Sequence, residues 1–241
     1  MANKSRDDIN ILLVQARLDE MKLHEYESFR SIMGLAPEQL QTLNLFADAI
    51  DLAKLDAFDG VIIGGSGEFS TLDEQLAPFR NQAYRLIQSC YQNKIPFLGA
   101  CFGHQMAAMA LGGAVETKKE LQETGTHDII ATEAAAGDPL FHHLPARFAA
   151  QVGHKDTVTR LPSSAIVLAQ TERCPIHAFT FAEKPFYGVQ FHPELDIDGL
   201  MVRIQFYQGY ADGEEDVRTI GETARPSPEA ARIPRLFIDE L

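Results

Sequence analysis

Two segments that lie far apart in the chain carry side chains suited to nucleophilic chemistry. Gly99–Gly103 reads GACFG and follows an apolar run, and Gly188–Glu194 reads GVQFHPE. Glycines two residues before and two after a nucleophile are typical of a sharp turn between a strand and a helix, because they let the two elements approach closely. The turn places Cys101 at a helix N-terminus, where peptide dipoles favour the reactive thiolate. This spacing predicts that Cys101 is a nucleophile; the alternative is a buried core cysteine.

His192 is the second chemically capable side chain, at the end of a strand predicted over Phe186–Phe191. Pro193 follows it and should stop the strand. A cysteine nucleophile needs an imidazole that holds its proton and later gives it to a leaving amine, and the imidazole needs an acceptor that fixes its tautomer. Glu194 can be that acceptor. The predicted triad of Cys101, His192 and Glu194 depends on both segments together, because a single histidine at a strand end is usually structural.

A glycine-rich turn, Gly64–Gly67 (GGSG), follows the short apolar run Val61–Ile63. A glycine has no side chain to keep a substrate away from its backbone, so such a turn can present N–H groups to a ligand. A purely structural turn is the alternative that these residues leave open.

The three segments together resemble the motifs of class I glutamine amidotransferases: GACFGHQ at Gly99–Gln105, GVQFHPE at Gly188–Glu194, and the glycine turn. The resemblance spans about residues 11–208. Phe102 is the visible departure, since many relatives have leucine or tyrosine there. The resemblance implies that the Cys101 thiolate attacks the side-chain carboxamide of glutamine, forming a γ-glutamyl thioester and ammonia, and that water then releases glutamate.

The resemblance also implies roles for further residues. The backbone N–H groups of Gly65 and Phe102 match the family's oxyanion hole, which stabilises the negative charge that develops on the attacked carbonyl. Four positions match substrate contacts of the family: Gly67, Gln105, His154 and Asp156. For His154 and Asp156 the alternative is a role in capping their loop. The implied chemistry needs no cofactor, and the histidine and cysteine spacings predict no metal site.

Short apolar runs alternating with helical patterns predict an α/β fold with a doubly wound, mostly parallel central sheet of the flavodoxin-like kind. Later runs have little helix between them and predict an added antiparallel or mixed strand region. The predicted strands of this region are Asp128–Thr132, Phe148–Val152, Ile166–Gln170, Ile176–Phe181 and Phe186–Phe191. A closing helix is predicted over Ile197–Gly209. We expect one domain over residues 1–210, followed by a proline-rich and acidic tail, 211–241, that is loosely packed or wraps a neighbouring chain.

The composition excludes several classes of protein. A formal net charge of −13, without a cluster of basic residues, argues against a nucleic-acid partner. No apolar stretch approaches the roughly 20 residues that span a bilayer, and the polar N-terminus does not resemble an export signal. The three cysteines match no disulfide or metal pattern, so a reducing cytoplasm is the expected location.

Three functions fit these motifs. The first is a free-standing amidotransferase similar to the amidotransferase component of GMP synthase, which hydrolyses glutamine and passes ammonia to an unidentified partner synthetase. The second is a γ-glutamyl peptidase with the same triad, which acts on a γ-glutamyl amide larger than glutamine. The additional segment Arg17–Gln41 bears on the choice between these two, because helices over the cleft would reshape the pocket, and its sequence does not show which substrate they favour. The third is a non-catalytic binding or regulatory module, which the intact triad disfavours. The oligomeric state and the ammonia acceptor remain open.

Overall fold

The computed structural model describes residues 5–211 and 213–241. The strands are β1 Ile11–Gln15, β2 Leu40–Asn44, β3 Gly60–Ile63, β4 Phe97–Ala100, β5 Ala114–Thr117, β6 Glu123–Ala131, β7 Arg147–His154, β8 Asp156–Arg160, β9 Ala165–Gln170, β10 Ala178–Phe181 and β11 Lys184–Val189. The α-helices are α1 Met21–Met33, α2 Ala77–Asn93, α3 Phe102–Ala110, α4 Ile197–Phe206, α5 Glu214–Thr223 and α6 Ile233–Asp239. Among these helices, none is both long and apolar enough to cross a bilayer.

A nine-stranded sheet forms the centre of the protein, in the order β2-β1-β3-β4-β11-β10-β9-β6-β7. The first five strands in this order pair in parallel, and the remaining pairs are antiparallel. The sheet therefore confirms the predicted α/β fold with its added antiparallel region. Strands β5 and β8 form a separate antiparallel pair that the sequence did not predict.

Helices cover both faces of the parallel half because its strands are apolar on both faces. Successive side chains of a strand point to opposite sides of the sheet. On one side, Ile11 and Leu13 share a buried cluster with Phe29 of α1. On the other side, Leu12 and Val14 share a second cluster with residues of α2 and α3. A doubly wound sheet is the arrangement that buries both faces at once.

The C-terminal segment packs against this core. Ile233 and Phe237 of α6 are almost fully buried and belong to the same cluster as Ile11 and Leu13 of β1. A Cβ atom added to Gly60 would lie only 3.2 Å from the Phe237 ring. The expectation of a loosely packed tail is therefore wrong for this part of the chain, because its apolar residues complete the core over β1 and β3. The proposed domain division at residue 210 stays a prediction.

Candidate active site

Three loops meet at the carboxyl edge of the parallel strands, where ligands usually bind in open α/β sheets. Gly64–Gly67 follows β3, Cys101 follows β4, and His192 lies shortly after β11. Because these three strands are neighbours in the sheet, their ends bring together segments that are far apart in sequence. The residues singled out by the sequence therefore lie around one point.

Cys101 occupies a strained turn between β4 and α3. Its backbone has φ 49° and ψ −98°, a conformation that non-glycine residues rarely adopt and that costs about 1–3 kcal/mol. The Cys101 N–H donates to Val189 O at 2.8 Å, which fixes the turn against β11. A Cβ atom on Gly99 would lie 2.6 Å from the backbone of Gly103, and one on Gly103 would overlap Ile63 O. The two glycines are thus required by the close approach of strand and helix.

His192 is buried beside the thiol and is held by Glu194. The backbone N–H of His192 donates to the backbone oxygen of Gln151 at 2.8 Å. The ring Nδ1 of His192 lies 3.0 Å from Glu194 Oε1. Glu194 is an acceptor, so Nδ1 carries the proton and Nε2 is the nitrogen available to Cys101. This is the order of partners that the proposed triad requires.

Arg203, on α4, is a charged neighbour of the predicted triad, and the sequence did not reveal it. Its guanidinium Nη1 donates to Glu194 Oε1 at 2.7 Å and lies 3.2 Å from His192 Nδ1. The side chains of Arg203 and Glu194 are almost completely buried, so the pair keeps the Glu194 carboxylate charged inside the protein. Helical spacing identifies the buried side of α4, but an arginine on that side has no distinguishing sequence signal.

Charge interactions in this cluster set the protonation of the histidine. Burial lowers the pKa of His192, but the charges of Glu194 and Cys101 and their hydrogen bonds to the ring outweigh it and raise this pKa to about 9. Burial raises the pKa of Glu194, whereas His192 and Arg203 lower it, and the net pKa lies well below the ordinary value. The site therefore favours an imidazolium beside a carboxylate at neutral pH.

Replacing Glu194 with glutamine should lower the pKa of His192, because it removes the neighbouring negative charge. A histidine whose pKa is raised above 6.5 in the folded state adds stability below about pH 6.5, and this stability is lost as the pH rises through about 9. The Glu194→Gln variant should therefore lack this stabilisation of the folded state at low pH. An NMR titration of the imidazole measures the shift, with the exposed Glu222→Gln on α5 as control. An unchanged His192 titration in Glu194→Gln would contradict this reading of the cluster.

The Gly65 N–H, one of the two expected oxyanion donors, is engaged elsewhere in this structure. It donates to Glu25 Oε1 at 3.1 Å, and Arg17 Nε lies 3.2 Å from the same oxygen. Phe102 is the first residue of α3, where a backbone N–H has no partner within the helix. The assignment of Gly65 and Phe102 to an oxyanion hole stays a prediction, and for Gly65 it requires that the N–H turn away from Glu25.

Arg17 and Glu25 form a buried ion pair under the glycine turn, which sequence reasoning missed. Both side chains are at most 1% exposed. Gln15 Nε2 donates to Glu25 Oε2 at 3.1 Å, and Arg17 Nη1 donates to the Tyr207 hydroxyl at 2.7 Å. The segment Arg17–Gln41 thus contains helix α1 and also contributes buried charged groups to the site. Charged residues on a partly polar helix are usually solvated, so the pattern alone predicts no burial.

A cavity of about 810 Å³ opens beside Cys101, within the usual size range of small-molecule sites. Gly67, Gln105, His154 and Asp156 all border it, together with Cys101 and Phe102. His192 is not among the described residues that line it. Cys101 therefore opens directly onto the cavity, whereas His192 is buried, at 4% exposed.

The four predicted substrate contacts differ in what they present to this cavity. Gly67 has φ 72°, which favours glycine. Gln105 Nε2 donates to Asp156 O at 2.7 Å, and the Asp156 carboxylate accepts from Ser70 and Thr117 at 2.5 and 2.6 Å. These bonds fix one wall of the cavity. Whether these residues contact a substrate stays a prediction.

The His154 imidazole does not face the cavity, although residue 154 borders it. The side chain is 0% exposed, its Nδ1 donates to Asp156 O at 3.1 Å, and its Nε2 lies 3.4 Å from Glu123 Oε2. His154 thus supports the wall that carries Asp156. Its imidazole cannot reach a ligand in this arrangement.

Glu123, His154, Cys174 and His177 form a buried cluster whose possible ligand atoms lie within 4.8 Å of one another. Hydrogen bonds join the residues of this cluster: Glu123 accepts from His177 Nε2 at 2.6 Å and from the Thr171 hydroxyl at 2.8 Å. Burial lowers the pKa of His177 to about 4, so this histidine is a neutral donor. The spacing of these four residues in the sequence does not predict the cluster, because they come from β6, from the end of β7 and from the loop before β10.

Comparison with known proteins gives matches over much of the chain. Residues 35–199 match the model of the glutamine amidotransferase class-I family. The chain is 32% identical over 193 residues to the glutamine-hydrolyzing GMP synthase of Lacticaseibacillus rhamnosus, covering 80% of this chain and 34% of that protein. It is 34% identical over 137 residues to a glutamine-hydrolyzing GMP synthase subunit of Methanothermobacter thermautotrophicus, covering 57% of this chain and 66% of that protein. The chain thus spans between about a third and two thirds of these relatives.

Solved structures agree at the level of the fold. A glutamine amidotransferase from Thermotoga maritima superposes with a TM-score of 0.76 at 23% identity, covering 96% of this chain and 97% of that one. A glutamine amidotransferase from Methylobacillus flagellatus gives 0.72 at 17% identity, with 96% and 95% covered. The range that matches the family model extends over more than half of the chain. The resemblance inferred from the motifs is confirmed: this chain belongs to the glutamine amidotransferase class-I family.

Proposed function

We propose that this protein hydrolyses the side-chain amide of glutamine through a γ-glutamyl thioester on Cys101, releasing glutamate and ammonia. The observation that carries the proposal is the buried series of interactions from Cys101 through His192 to Glu194, with Cys101 lining a cavity. Family membership supports the same reaction class.

The geometry supports a division of roles within the triad. The Cys101 sulfur attacks the amide carbon, and His192 transfers the thiol proton to the departing nitrogen, so that ammonia leaves and the thioester remains. His192 then takes a proton from water as the water attacks the thioester, and returns it to the Cys101 sulfur as glutamate leaves. Glu194 holds the ring and stabilises the imidazolium. The Phe102 N–H, and the Gly65 N–H once released by Glu25, would stabilise the oxyanion.

The fate of the ammonia is part of the proposal. Some relatives are named as one subunit of GMP synthase, and the present chain matches more than half the length of two of them. We therefore propose a separate synthetase partner that receives ammonia and raises the hydrolysis rate. A reducing compartment such as the cytoplasm would keep the thiol active, and Cys90, Cys101 and Cys174 are all free in the structure.

The structure favours glutamine over a γ-glutamyl peptide as the substrate. In both cases the leaving nitrogen must approach His192, and a peptide carries its extra bulk on that nitrogen. His192 is only 4% exposed and is not among the described residues that line the cavity, so bulk on the leaving nitrogen would have to fit beside a buried ring. Ammonia is the smaller leaving group and fits this arrangement better.

A substrate panel tests this choice. We expect the purified protein to show a kcat/KM for glutamine at least about tenfold above that for γ-glutamylalanine and γ-glutamylglycine, the scale on which a pocket rejects added bulk. Ammonia and glutamate release are both measured, with Cys101→Ala as the blank. Faster hydrolysis of the dipeptides would identify a γ-glutamyl peptidase. Absence of Cys101-dependent turnover on every substrate, with the candidate synthetase added, would favour the binding module.

A further inference from the structure

The buried cluster of Glu123, His154, Cys174 and His177 has the composition of a metal site. Its four possible ligand atoms lie within 4.8 Å of one another. Two imidazoles, a thiol and a carboxylate are the nitrogen, sulfur and oxygen donors that zinc takes in proteins. With zinc bonds of about 2.0–2.3 Å, the ligand atoms of a tetrahedral site lie roughly 3.3–3.8 Å apart. Shifts of about 1 Å would therefore bring the four atoms onto one ion.

The backbone already holds these residues around one point. Glu123 begins β6 and pairs in register with His154, the last residue of β7. In the loop before β10, the Cys174 N–H donates to the Thr171 hydroxyl at 2.8 Å, and the backbone N–H of His177 donates to a carbonyl of β9 at 2.8 Å. Strand pairing and a hydrogen-bonded loop thus position the four ligands without the help of an ion.

Cys174 and His177 are separated by two residues of the same loop. This short spacing is typical of two zinc ligands that come from one loop. A single pair is too few ligands to predict a site from the sequence, and the other two ligands come from β6 and β7. Together the four make a closed tetrahedral set, the kind that structural zinc sites have, with no position left for a substrate.

The groups behind the ligands also fit a metal site, where a ligating histidine usually donates its other ring N–H to an oxygen. His154 Nδ1 donates to Asp156 O at 3.1 Å, which leaves Nε2 as the nitrogen with the lone pair. That Nε2 lies 3.4 Å from Glu123 Oε2, so two acceptors face each other in a buried place. A cation between them would relieve this contact. The other oxygen of Glu123 accepts from the Thr171 hydroxyl at 2.8 Å, which orients the carboxylate.

Charge balance in the cluster favours a divalent cation. In their ligand forms, two neutral imidazoles, a thiolate and a carboxylate carry two negative charges together. The four side chains are at most 2% exposed, so water does not screen these charges. Buried charges are stable when they are paired or bound to a metal. Binding of Zn²⁺ would release the Cys174 thiol proton, move the ring proton of His177 to its other nitrogen, and leave the site neutral.

We propose that Glu123, His154, Cys174 and His177 form a structural zinc site. The site is separate from the predicted triad, and the proposal does not rest on glutamine hydrolysis. One ion would join β6, β7 and the loop before β10 in the antiparallel half of the sheet. Because His154 also bonds Asp156 O, the ion would fix the cavity wall that carries Asp156. The ligands are buried, so we expect the ion to enter as the chain folds.

The test measures zinc in protein expressed in minimal medium supplemented with zinc, by plasma mass spectrometry after gel filtration. Every protein carries Cys101→Ala, so that the thiol lining the cavity cannot bind the metal; this protein is the parent. The parent should hold about one zinc ion per chain. Competition with a coloured chelator gives the affinity, which Cys174→Ala should lower more than about tenfold.

Two further variants separate the site from general effects on the fold. Thr171→Val removes hydrogen bonds to Glu123 and Cys174 but no ligand, and should lower the zinc affinity at least about tenfold. Cys90→Ala removes another buried thiol and is the matched control, with an unchanged zinc content. The proposal is overturned if the parent holds no zinc above the buffer, or if Cys174→Ala binds zinc as tightly as Cys90→Ala does.

A spectroscopic readout requires only that the parent folds. Parent protein expressed with cobalt(II) in place of zinc should show the near-ultraviolet charge-transfer band of a cobalt–thiolate bond and the intense visible bands of a tetrahedral cobalt ion. Cys90→Ala should keep these bands and Cys174→Ala should lose them. If Cys174→Ala does not fold, the bands of the parent and of Cys90→Ala decide: their presence in both supports the site, and their absence overturns it.

Discussion

Cys101→Ala should reduce glutamine hydrolysis by on the order of 10⁴-fold or more, to the rate of the uncatalysed background. The sulfur is the atom that would form the thioester, and Cys101 is the cysteine that lines the cavity, since neither Cys90 nor Cys174 is among the described lining residues. His192 and Glu194 cannot replace it, because members of a triad act as a unit. A coupled assay of ammonia release measures the loss.

The control for this prediction is Cys90→Ala, which removes a buried thiol elsewhere in the protein. Its kcat should stay within about twofold of wild type, the normal range for a tolerated core change away from the site. If Cys101→Ala kept a substantial part of the wild-type rate while remaining folded, the triad assignment would be wrong.

Gly103→Ala is expected to destabilise the fold by on the order of 3 kcal/mol, within the range of single substitutions that create a backbone clash. The added methyl would overlap Ile63 O, and the Gly103 N–H already donates to Gly64 O at 3.2 Å. Helix α3 would have to move away from β3, which also displaces the Cys101 turn. Both the urea midpoint and the hydrolysis rate should therefore fall.

Gly137→Ala provides the matched comparison, because a Cβ atom there meets no atom within 4 Å and the residue does not have a positive φ. Its free energy of unfolding should stay within about 0.5 kcal/mol of wild type. Equal destabilisation by the two substitutions would mean that the close approach of α3 and β3 has no special role.

The parallel half of the sheet could be predicted because its strands are short, apolar on both faces and separated by helical patterns. The sharp turn at Cys101 and the position of His192 at a strand end could also be predicted, because residue types in short local segments specify them. The ends of the antiparallel strands were mostly predicted to within two or three residues, except that β6 begins earlier, at Glu123. Strands β5 and β8 were missed because their residues are mixed in polarity, with Glu116 and Thr117 exposed.

The remaining features depend on contacts between distant segments. Glu25 reaches Gly65 only because α1 packs against the sheet beside the glycine turn. His154 faces Glu123 instead of the cavity because β6 and β7 pair in a register that sets these two residues opposite each other. The packing of Phe237 into the core was hidden by the acidic and proline-rich composition around it. None of these three contacts has a signal in local periodicity.

The most direct test of the central claim is to trap the acyl-enzyme. Wild-type protein mixed with radiolabelled glutamine and quenched in acid should carry a label on the peptide containing Cys101, and hydroxylamine, which cleaves thioesters, should release it. Cys101→Ala should carry none. Release of ammonia and glutamate without a Cys101-linked label, together with equal turnover by Cys101→Ala, would contradict the account.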